Sequence, residues 1–329
     1  MRRPRVLFLG GTGVLSAACV REFLARDADL TVLTRGRTLL RPLPEGVRAL
    51  HADVHDDAAT RAALGEETFD AVVNFIGYTP QDVRADVARF GGRTARYVFI
   101  STGSVYARPA PSLPIVESSA RRNSGFEYPA RKLLCEEVLE QAFRDEDFPM
   151  TIVRAAHVYD ETVIPNLAGW TTIARWRAGK PVVVHGDGTS MWNLLHARDF
   201  ARGLAGLVVN GRGIGESVHI TSDELLTWDE IHFSLARAAG VEPRIVHRSS
   251  EDIGRVIEWM GPVLTEDFRH SVIYDNSKIK RMVPDFSPQV PFAQGAREIL
   301  EWFDADPSRQ RVDGDIDAAF DRLAGDRDG

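Results

Sequence analysis

The glycine-rich loop Gly10-Gly11-Thr12-Gly13 near the start of the chain limits the possible folds more than any other feature of the sequence. It follows the apolar run Val6–Leu9, which is typical of a buried strand, and it precedes a helical pattern over 14–26. A glycine at position 10 permits a tight turn, a glycine at 13 lets the backbone approach a bound phosphate, and the helix start supplies amide donors. Strand, glycine loop and helix in this order predict the first turn of a dinucleotide-binding α/β domain.

Short apolar runs alternate with longer helical patterns over the first 155 residues. The runs are continuous in polarity, which is typical of parallel strands that are buried on both faces. The alternation with helices predicts βαβ units. The predicted strands are Val6–Leu9, Leu30–Leu33, Val47–Leu50, Ala71–Ile76, Tyr97–Ile100 and Thr151–Val153, and the predicted helices cover about 14–26, 56–64, 80–91 and 127–143.

The pattern changes after residue 155 to a mixed α+β arrangement. Its predicted elements are helices near 197–209, 228–239 and 315–323 and strands near 217–220 and 244–247. We therefore expect an α/β fold in two parts. Residues 1–155 form a Rossmann-type doubly wound parallel sheet, to which segments of the C-terminal half return, and residues 156–329 form mainly a smaller α+β substrate lobe.

The charge balance and the lack of long apolar segments exclude several classes of protein. The 329 residues include 40 Lys and Arg against 47 Asp and Glu, a formal charge of −7, which argues against sequence-independent binding to nucleic acid. No apolar run approaches the ~18 residues of a membrane span, and the first run is shorter than a signal-peptide core of ~7 residues, so we expect a cytoplasmic protein with no membrane partner. Cys19 and Cys135 match no disulfide or metal-ligand spacing, which predicts two reduced, buried thiols and no metal site.

The end of the second predicted strand indicates which dinucleotide binds. The segment Leu33-Thr34-Arg35-Gly36-Arg37 contains no Asp or Glu that would hold the ribose hydroxyls of NAD. Arg35 and Arg37 could instead bind a 2′-phosphate, so the sequence favours NADP over NAD. The alternative is that both arginines lie on the solvated surface.

Tyr128 and Lys132 lie four residues apart at the start of a helical pattern, so their side chains project from one helix face. A lysine beside a tyrosine favours the phenolate and lowers the phenol pKa from about 10 toward neutrality, which would make Tyr128 a general acid or base. The pair follows the segment Ile100-Ser101-Thr102-Gly103-Ser104-Val105-Tyr106, in which a predicted strand ends. Pro129 suits the first turn of the helix and moves Tyr128 toward the helix cap.

Together these motifs resemble the extended (atypical) short-chain dehydrogenases/reductases, the family of NAD(P)-dependent sugar epimerases and dehydratases. The resemblance implies three catalytic residues: Thr102 would bind the reacting substrate oxygen, Tyr128 would transfer the proton, and Lys132 would bind the nicotinamide ribose. The matching segments lie between residues 5 and 305 and are Gly10–Gly13, Asp53-Val54, Asn74–Gly77, Ser101–Tyr106, Tyr128 with Lys132, and Gly186-Asp187-Gly188-Thr189.

The same resemblance implies the cofactor contacts and a quaternary structure. Asp53 would accept a hydrogen bond from the adenine amino group, and Ala155 and His157 would approach the nicotinamide. A homodimer through the helices at 80–91 and 127–143 is implied by analogy. The implied cofactor-binding residues are Gly10, Thr12, Gly13, Val14, Leu15, Arg35, Asp53, Val54, Phe75, Ile76, Gly77, Lys132, Ala155 and His157.

The sequence departs from the family pattern at two places. Sugar-nucleotide 4,6-dehydratases carry acidic residues where this chain has Gly103 and Ser104, which disfavours a dehydratase of that form. Members that bind nucleoside diphosphate sugars carry an arginine where this chain has Trp192. A tryptophan offers stacking area and one N–H donor but no charge, which favours a less anionic small-molecule substrate such as a nucleoside, a glycoside or another polyol.

Four residues are predicted to bind the substrate: Ser104, His157, Tyr159 and Trp192. Alternatives remain open for three of them. The Ser104 hydroxyl could be satisfied by its own turn, His157 could only shape the pocket, and Trp192 could pack between the lobes.

The function that follows is an NAD(P)-dependent enzyme that oxidises a hydroxyl of a sugar, nucleoside or related polyol, transiently, in an epimerase or dehydratase reaction with hydride return. A net dehydrogenase or reductase is one alternative. A non-catalytic NAD(P)-binding regulator or RNA-associated protein is another, although a protein that only binds the cofactor has no need of Thr102, Tyr128 and Lys132 together.

Overall fold

The computed structural model describes residues 2–37, 40–122 and 125–325. Its strands are β1 (Arg5–Leu9), β2 (Asp29–Thr34), β3 (Arg48–His51), β4 (Ala71–Asn74), β5 (Tyr97–Thr102), β6 (Met150–Ala155), β7 (His157–Tyr159), β8 (Val182–His185), β9 (Met191–Trp192), β10 (Leu194–His196), β11 (Glu216–Ile220), β12 (Leu226–Thr227) and β13 (Ile245–Arg248).

The helices are α1 (Val14–Ala25), α2 (Asp57–Leu64), α3 (Pro80–Phe90), α4 (Glu127–Glu146), α5 (Trp170–Arg177), α6 (Ala197–Val209), α7 (Trp228–Ala238), α8 (Ser250–Val256), α9 (Gly261–Val263), α10 (Ser277–Met282), α11 (Phe292–Asp304) and α12 (Gly314–Gly325). Short 3₁₀ turns lie at Gly103–Val105, Glu258–Met260 and Pro307–Arg309, and a π-helical turn lies at Leu264–Phe268.

The central sheet has seven parallel strands in the order β11-β6-β5-β4-β1-β2-β3. The strand order reverses between β1 and β4, and a ligand crevice is expected at the carboxyl ends of the strands at such a point. This arrangement confirms the predicted doubly wound parallel sheet. The strand β11 joins the sheet from the C-terminal half of the chain.

Both faces of the sheet are buried, which explains the continuous apolar runs in the sequence. Val6 and Phe8 pack in one hydrophobic cluster with residues of α1 and α6, whereas Leu7 and Leu9 pack on the other face with residues of α3 and α4. Side chains of a strand alternate between faces, so only a strand covered on both sides needs an apolar residue at every position.

Capping residues set the start of several helices. The Asp56 side chain accepts from the Ala59 N–H at 2.9 Å and caps α2. Thr79 caps α3, where Asp82 accepts from the Thr79 N–H at 2.8 Å and Pro80 occupies the first helical position. The elements predicted for the first 155 residues form within three residues of their predicted bounds.

The segments after residue 155 that do not pack on the central sheet are called the second lobe. They contribute most of an aromatic-rich hydrophobic cluster. Trp170, Trp176, Trp192, Trp228 and Phe268 belong to one hydrophobic cluster, to which α7, α11 and α12 contribute. The helices α5 and α11 were not predicted, although the apolar residues of α11 recur at helical spacing. Among the described helices, none combines the length and the apolar character that a membrane crossing requires.

Candidate active site

A cleft of about 850 Å³ lies where the chain leaves the carboxyl ends of β1, β4, β5 and β6, and the second lobe forms its far wall. Parallel register brings these ends to one edge of the sheet, because Leu9 pairs with Asn74 and Thr102 pairs with Ala155. The predicted site residues that line the cleft are Gly10, Thr12, Gly13, Val14, Leu15, Arg35, Asp53, Val54, Phe75, Ile76, Thr102, Ser104, Tyr128, Lys132, Ala155, His157 and Trp192.

Tyr159 does not line the cleft, contrary to the prediction. The residue is 1% exposed and its ring packs edge-on against His196 and Phe292, at centroid distances of 5.2 and 5.3 Å. The pairing of β7 with β10 carries the chain out of the cleft and into the core of the second lobe. Tyr159 is therefore a core residue.

Gly77 also differs from its predicted role, because it lies behind the cleft wall. Its N–H donates to Asn74 Oδ1 at 2.7 Å, and a Cβ at this position would lie 2.9 Å from Asn74 Nδ2. Gly77 supports the turn after β4 and leaves the contact with the cleft to its neighbours Phe75, Ile76 and Tyr78.

The glycine loop needs small residues for two separate reasons. Gly10 has φ +83°, a conformation that L side chains rarely adopt, and a Cβ there would lie 2.7 Å from Ile76 Cγ2. Gly11 lies against β2, where a Cβ would lie 2.5 Å from Val32 Cγ1. The loop is thus held tightly between β2 and the turn after β4, the two strands that flank β1 in the sheet.

The start of α1 fits a pyrophosphate. Gly13 caps the helix, and Ser16, which replaces the third glycine of the usual pattern, is buried and accepts from the Gly13 N–H at 2.9 Å. The first turn of α1 contains no acidic residue, so the positive end of the helix dipole faces the cleft without compensation. The serine is accommodated, and its hydroxyl caps the loop.

The three arginines after β2 have different surroundings. Arg35 and Arg37 line the cleft, and Arg35 Nη1 lies 3.9 Å from Asp53 Oδ2 in a pair in which both side chains are largely exposed. An exposed pair of this kind contributes about 0–1 kcal/mol to the free energy of unfolding. Arg41 Nε donates instead to the buried Asp160 carboxylate at 2.8 Å, and this buried ion pair ties the loop after β2 to the segment after β7.

Thr102 and Tyr128 meet in the middle of the cleft. Thr102 is the last residue of β5 and Tyr128 lies in the first turn of α4, which brings their hydroxyl groups next to each other in the cleft. Tyr128 lines the cleft and is 41% exposed. The residues packed around the phenol partly desolvate it and raise the pKa of Tyr128 to about 12, and the neighbouring Thr102 hydroxyl acts in the opposite direction.

Lys132 does not lower the pKa of Tyr128 in this structure, contrary to the prediction. Its Nζ donates to Gly77 O at 2.9 Å and to Ile100 O at 2.7 Å. The ammonium also lies over the rings of Tyr78 and Phe99, at 4.8 and 4.6 Å from their centroids. These four contacts fix the position of the ammonium. Burial lowers its pKa to about 8, so Lys132 loses its proton more easily than an exposed lysine.

A group of residues that the sequence analysis missed forms the wall beyond Thr102. The Ser104 hydroxyl donates to Asp267 Oδ2 at 2.6 Å, and Arg108 Nε donates to Asp267 Oδ1 at 3.0 Å. Arg108 Nη2 also donates to Gly103 O at 3.1 Å and to the Tyr274 hydroxyl at 3.4 Å. This arrangement differs from both alternatives predicted for Ser104, a hydrogen bond to the substrate and one within its own turn. Its hydroxyl donates instead to a carboxylate from a distant segment of the chain. No local sequence pattern predicts a site residue at Asp267, which lies in the π-helical turn of the second lobe.

An aromatic wall closes the end of the cleft opposite the glycine loop. Two roles were predicted for Trp192, contact with the substrate and packing between the lobes. The residue belongs to the hydrophobic core of the second lobe and also lines the cleft. Its Nε1 donates to His157 Nδ1 at 3.0 Å, and its ring lies 4.7 Å from the ring of Phe268. Burial lowers the pKa of His157 to about 4, so the imidazole is neutral at physiological pH.

The cysteines lie in the core and take no part in the site. Cys19 and Cys135 are both free and buried, and burial raises the pKa of the Cys19 thiol well above its usual range and that of Cys135 to about 12. This confirms the prediction of two buried thiols. Within the described residues, no group of three His, Cys, Asp or Glu side chains is arranged to hold a metal ion.

Comparison with known proteins identifies the family. Residues 6–220 match the NAD dependent epimerase/dehydratase family. The chain is 31% identical over 288 residues to the 2'-dehydrokanamycin reductase of Streptomyces kanamyceticus, covering 86% of this chain and 80% of the relative. It is 26% identical over 330 residues to a dTDP-glucose 4,6-dehydratase of Streptomyces niveus, covering 91% and 92%.

A solved structure shows the same fold. The dTDP-glucose 4,6-dehydratase of Bacillus anthracis, in complex with NAD, superposes with a TM-score of 0.73 at 17% identity, covering 93% of this chain and 98% of the other. The match over 6–220 and the reductase relative together show that the chain belongs to the NAD dependent epimerase/dehydratase family, enzymes of the extended short-chain dehydrogenase/reductase type.

Proposed function

We propose that the protein reduces a ketone, or oxidises the corresponding hydroxyl, on a sugar ring of a small glycoside, with a nicotinamide dinucleotide as hydride carrier. The observation that carries this proposal is the neighbouring pair of Thr102 and Tyr128 hydroxyls in the cleft. Two hydroxyls held together can bind one substrate oxygen and pass a proton to or from it.

The cleft residues fit the dinucleotide. Gly10, Gly11 and the first turn of α1 form a cradle for its pyrophosphate, and Asp53 lines the adenosine end. We propose NADP as the preferred form, because β2 ends at Thr34 with no acidic residue after it, while Arg35 and Arg37 line the same end of the cleft. The NAD complex of the similar dehydratase structure supports a dinucleotide in this cleft.

The protonation state of Tyr128 favours the reductive direction. With its pKa raised to about 12, the phenol keeps its proton at neutral pH and can donate it to a ketone oxygen. The oxidative direction needs the phenolate, which is a minor species at that pH. Thr102 can bind the same oxygen, since its hydroxyl lies beside that of Tyr128 in the cleft.

The carboxylates of the cleft do not favour elimination. Asp53 lies at the adenosine end, and Asp267 is held by Arg108 and by the Ser104 hydroxyl. Among the described residues that line the cleft, no other carboxylate is present to take a proton from the carbon beside a ketone. We therefore favour net redox chemistry over the dehydratase reaction, and the name of the 31% identical reductase supports it over hydride return by an epimerase.

The far end of the cleft favours an uncharged glycoside over a nucleoside diphosphate sugar. Trp192, Phe268 and Val272 offer apolar and aromatic surface, His157 is neutral, and Arg108 is neutralised by Asp267. A diphosphate would need an unpaired cation there. The described residues at this end of the cleft provide none.

The proposal is tested by turnover of free glycosides and nucleotide sugars with each cofactor. Methyl glycosides and kanamycin would be offered with NADP⁺ or NAD⁺, next to UDP-glucose and dTDP-glucose at equal concentration. Reduced nicotinamide would be measured by absorbance and the sugar products by NMR, because a reaction that returns the hydride leaves the absorbance unchanged. We expect turnover of at least one free glycoside and none of the nucleotide sugars. Turnover of nucleotide sugars alone would overturn the substrate assignment.

The variant Tyr128→Phe connects that turnover to the proposed site. We expect kcat to fall by about 10²-fold or more with little change in the Kd for the cofactor. Unchanged kcat in a folded Tyr128→Phe variant would show that the proton is transferred elsewhere.

A further inference from the structure

We propose that Trp192 holds His157 in the neutral tautomer that carries its proton on Nε2, and that this Nε2–H donates a hydrogen bond to an oxygen of the substrate. The tautomer follows from contacts within the chain. The substrate contact rests on the proposed function of the cleft.

The identity of the donor fixes the tautomer. Trp192 Nε1 lies 3.0 Å from His157 Nδ1, and an indole N–H can only donate. Nδ1 must therefore accept with its lone pair, which leaves the proton of the neutral ring on Nε2. A doubly protonated imidazole would place two N–H groups against each other, so the bond also opposes protonation.

The surroundings of the ring keep it in this orientation. Trp192 is 5% exposed and lies edge-on to the imidazole at 85°, while Phe268 lies 5.9 Å from it at 34°. Burial is the sole cause of the lowered pKa of His157, so no charged neighbour among the described residues competes with Trp192 for its protonation state. The ring is held by aromatic contacts and one hydrogen bond.

No side chain or carbonyl of the described residues accepts from the Nε2–H of His157, which lies close to the proposed reacting groups. Within the described part of the chain, the imidazole of His157 forms one side-chain hydrogen bond, which it accepts from Trp192. His157 lines the cleft two residues after Ala155, and Ala155 is paired in register with Thr102. A hydroxyl, ring or carbonyl oxygen of a substrate that enters the cleft would accept a hydrogen bond from this N–H.

Imidazole NMR on the purified protein tests the tautomer without any turnover. The His157 signals would be assigned by comparison with His157→Gln, and the nitrogen shifts would show which nitrogen carries the proton. We expect the Nε2–H form throughout the range from about pH 5 to 8 in the wild type. A dominant Nδ1–H form, or protonation within that range, would overturn the proposal even if the enzyme is active.

The variant Trp192→Phe removes the donor and keeps an aromatic ring. We expect a mixture of the Nε2–H and Nδ1–H tautomers, whereas the lowered pKa of His157, which burial causes, should change little. The exposed Trp259→Phe is the matched control and should leave both unchanged. An unchanged tautomer in Trp192→Phe would overturn the role of Trp192, and the wild-type spectrum decides the tautomer should that variant not fold.

The proposed hydrogen bond from His157 Nε2–H to the substrate is tested by steady-state kinetics, with the glycoside that the turnover experiment identifies. His157→Phe should lower kcat/KM about tenfold, the loss expected for one hydrogen bond, whereas His157→Gln, which keeps an N–H donor, should recover part of it. The Kd for the cofactor should stay the same in both variants. A weakened cofactor Kd with an unchanged substrate KM would assign the donor to the nicotinamide and overturn the substrate contact.

Discussion

The hydroxyl group of Tyr274 occupies the space in which a side chain at position 103 would stand. A Cβ added to Gly103 would lie 2.6 Å from Tyr274 Cζ and would overlap the hydroxyl oxygen. The residue after Thr102 must therefore be glycine, and the acidic side chain that similar dehydratases carry there has no room. The Tyr274 ring from the second lobe replaces it as the wall of the site.

Replacing Gly103 by alanine should destabilise the protein through this overlap alone, because Gly103 has no positive φ that would oppose a side chain. We expect Gly103→Ala to lower the free energy of unfolding by about 1–3 kcal/mol in chemical denaturation. In a Tyr274→Ala background the same change should cost less than about 0.5 kcal/mol, since the overlapping ring is gone. Gly314→Ala, with no atom within 4 Å of the added Cβ, is the matched control, and equal costs in both backgrounds would contradict the interpretation.

The two directions of the reaction should respond differently to pH. Tyr128 with a pKa near 12 stays protonated from about pH 6 to 9, so the rate of reduction, which needs the acid, should be flat over that range. The rate of oxidation, which needs the phenolate, should rise by about tenfold for each pH unit. An oxidation rate that levels off near pH 7 would show a phenol pKa far below the one in this structure. The measurement is kcat/KM in both directions under one set of buffers.

Buried Lys132 should add to the stability of the protein as the pH rises. Its pKa is lowered to about 8 in the fold, against about 10.4 in an unfolded chain, so the unfolded state binds more protons between these values. The free energy of unfolding therefore increases as the pH is raised from about 8 to about 10.4. The free energy of unfolding of the wild type relative to Lys132→Met should increase by about 2 kcal/mol between pH 7 and 10. The exposed Lys280→Met should show no such change.

Arg35 should decide between the two dinucleotides. Arg35→Ala should weaken the Kd for NADP by about tenfold and leave the Kd for NAD unchanged, because only NADP carries the 2′-phosphate that would bind the guanidinium. Thermal stability should not fall, since the contact of Arg35 with Asp53 is long and exposed. Arg237→Ala, an exposed arginine on the second lobe, serves as the control in titration calorimetry. Equal NADP affinity in wild type and Arg35→Ala would refute the assignment.

Features that depend on residues close together in the sequence could be predicted from the sequence alone. The glycine loop, the continuous apolar strands and the Tyr128–Lys132 spacing are local patterns, and the parallel sheet with its cleft follows from them because parallel strands end at one edge. Dimerisation through the helices at 80–91 and 127–143 remains a prediction.

The substrate end of the cleft was decided by the tertiary structure. Ser104 and Asp267 are 163 residues apart, and Trp192 and His157 are 35 apart, so no spacing rule relates the members of either pair. Tyr159 looked like a cleft residue beside His157, yet the turn of β7 into the second lobe buries it. Local patterns determine the cofactor half because each of its segments directly follows a strand of the parallel sheet, and these strands end at one edge. The other half requires side chains from distant segments, and only the packing of the two lobes brings them together.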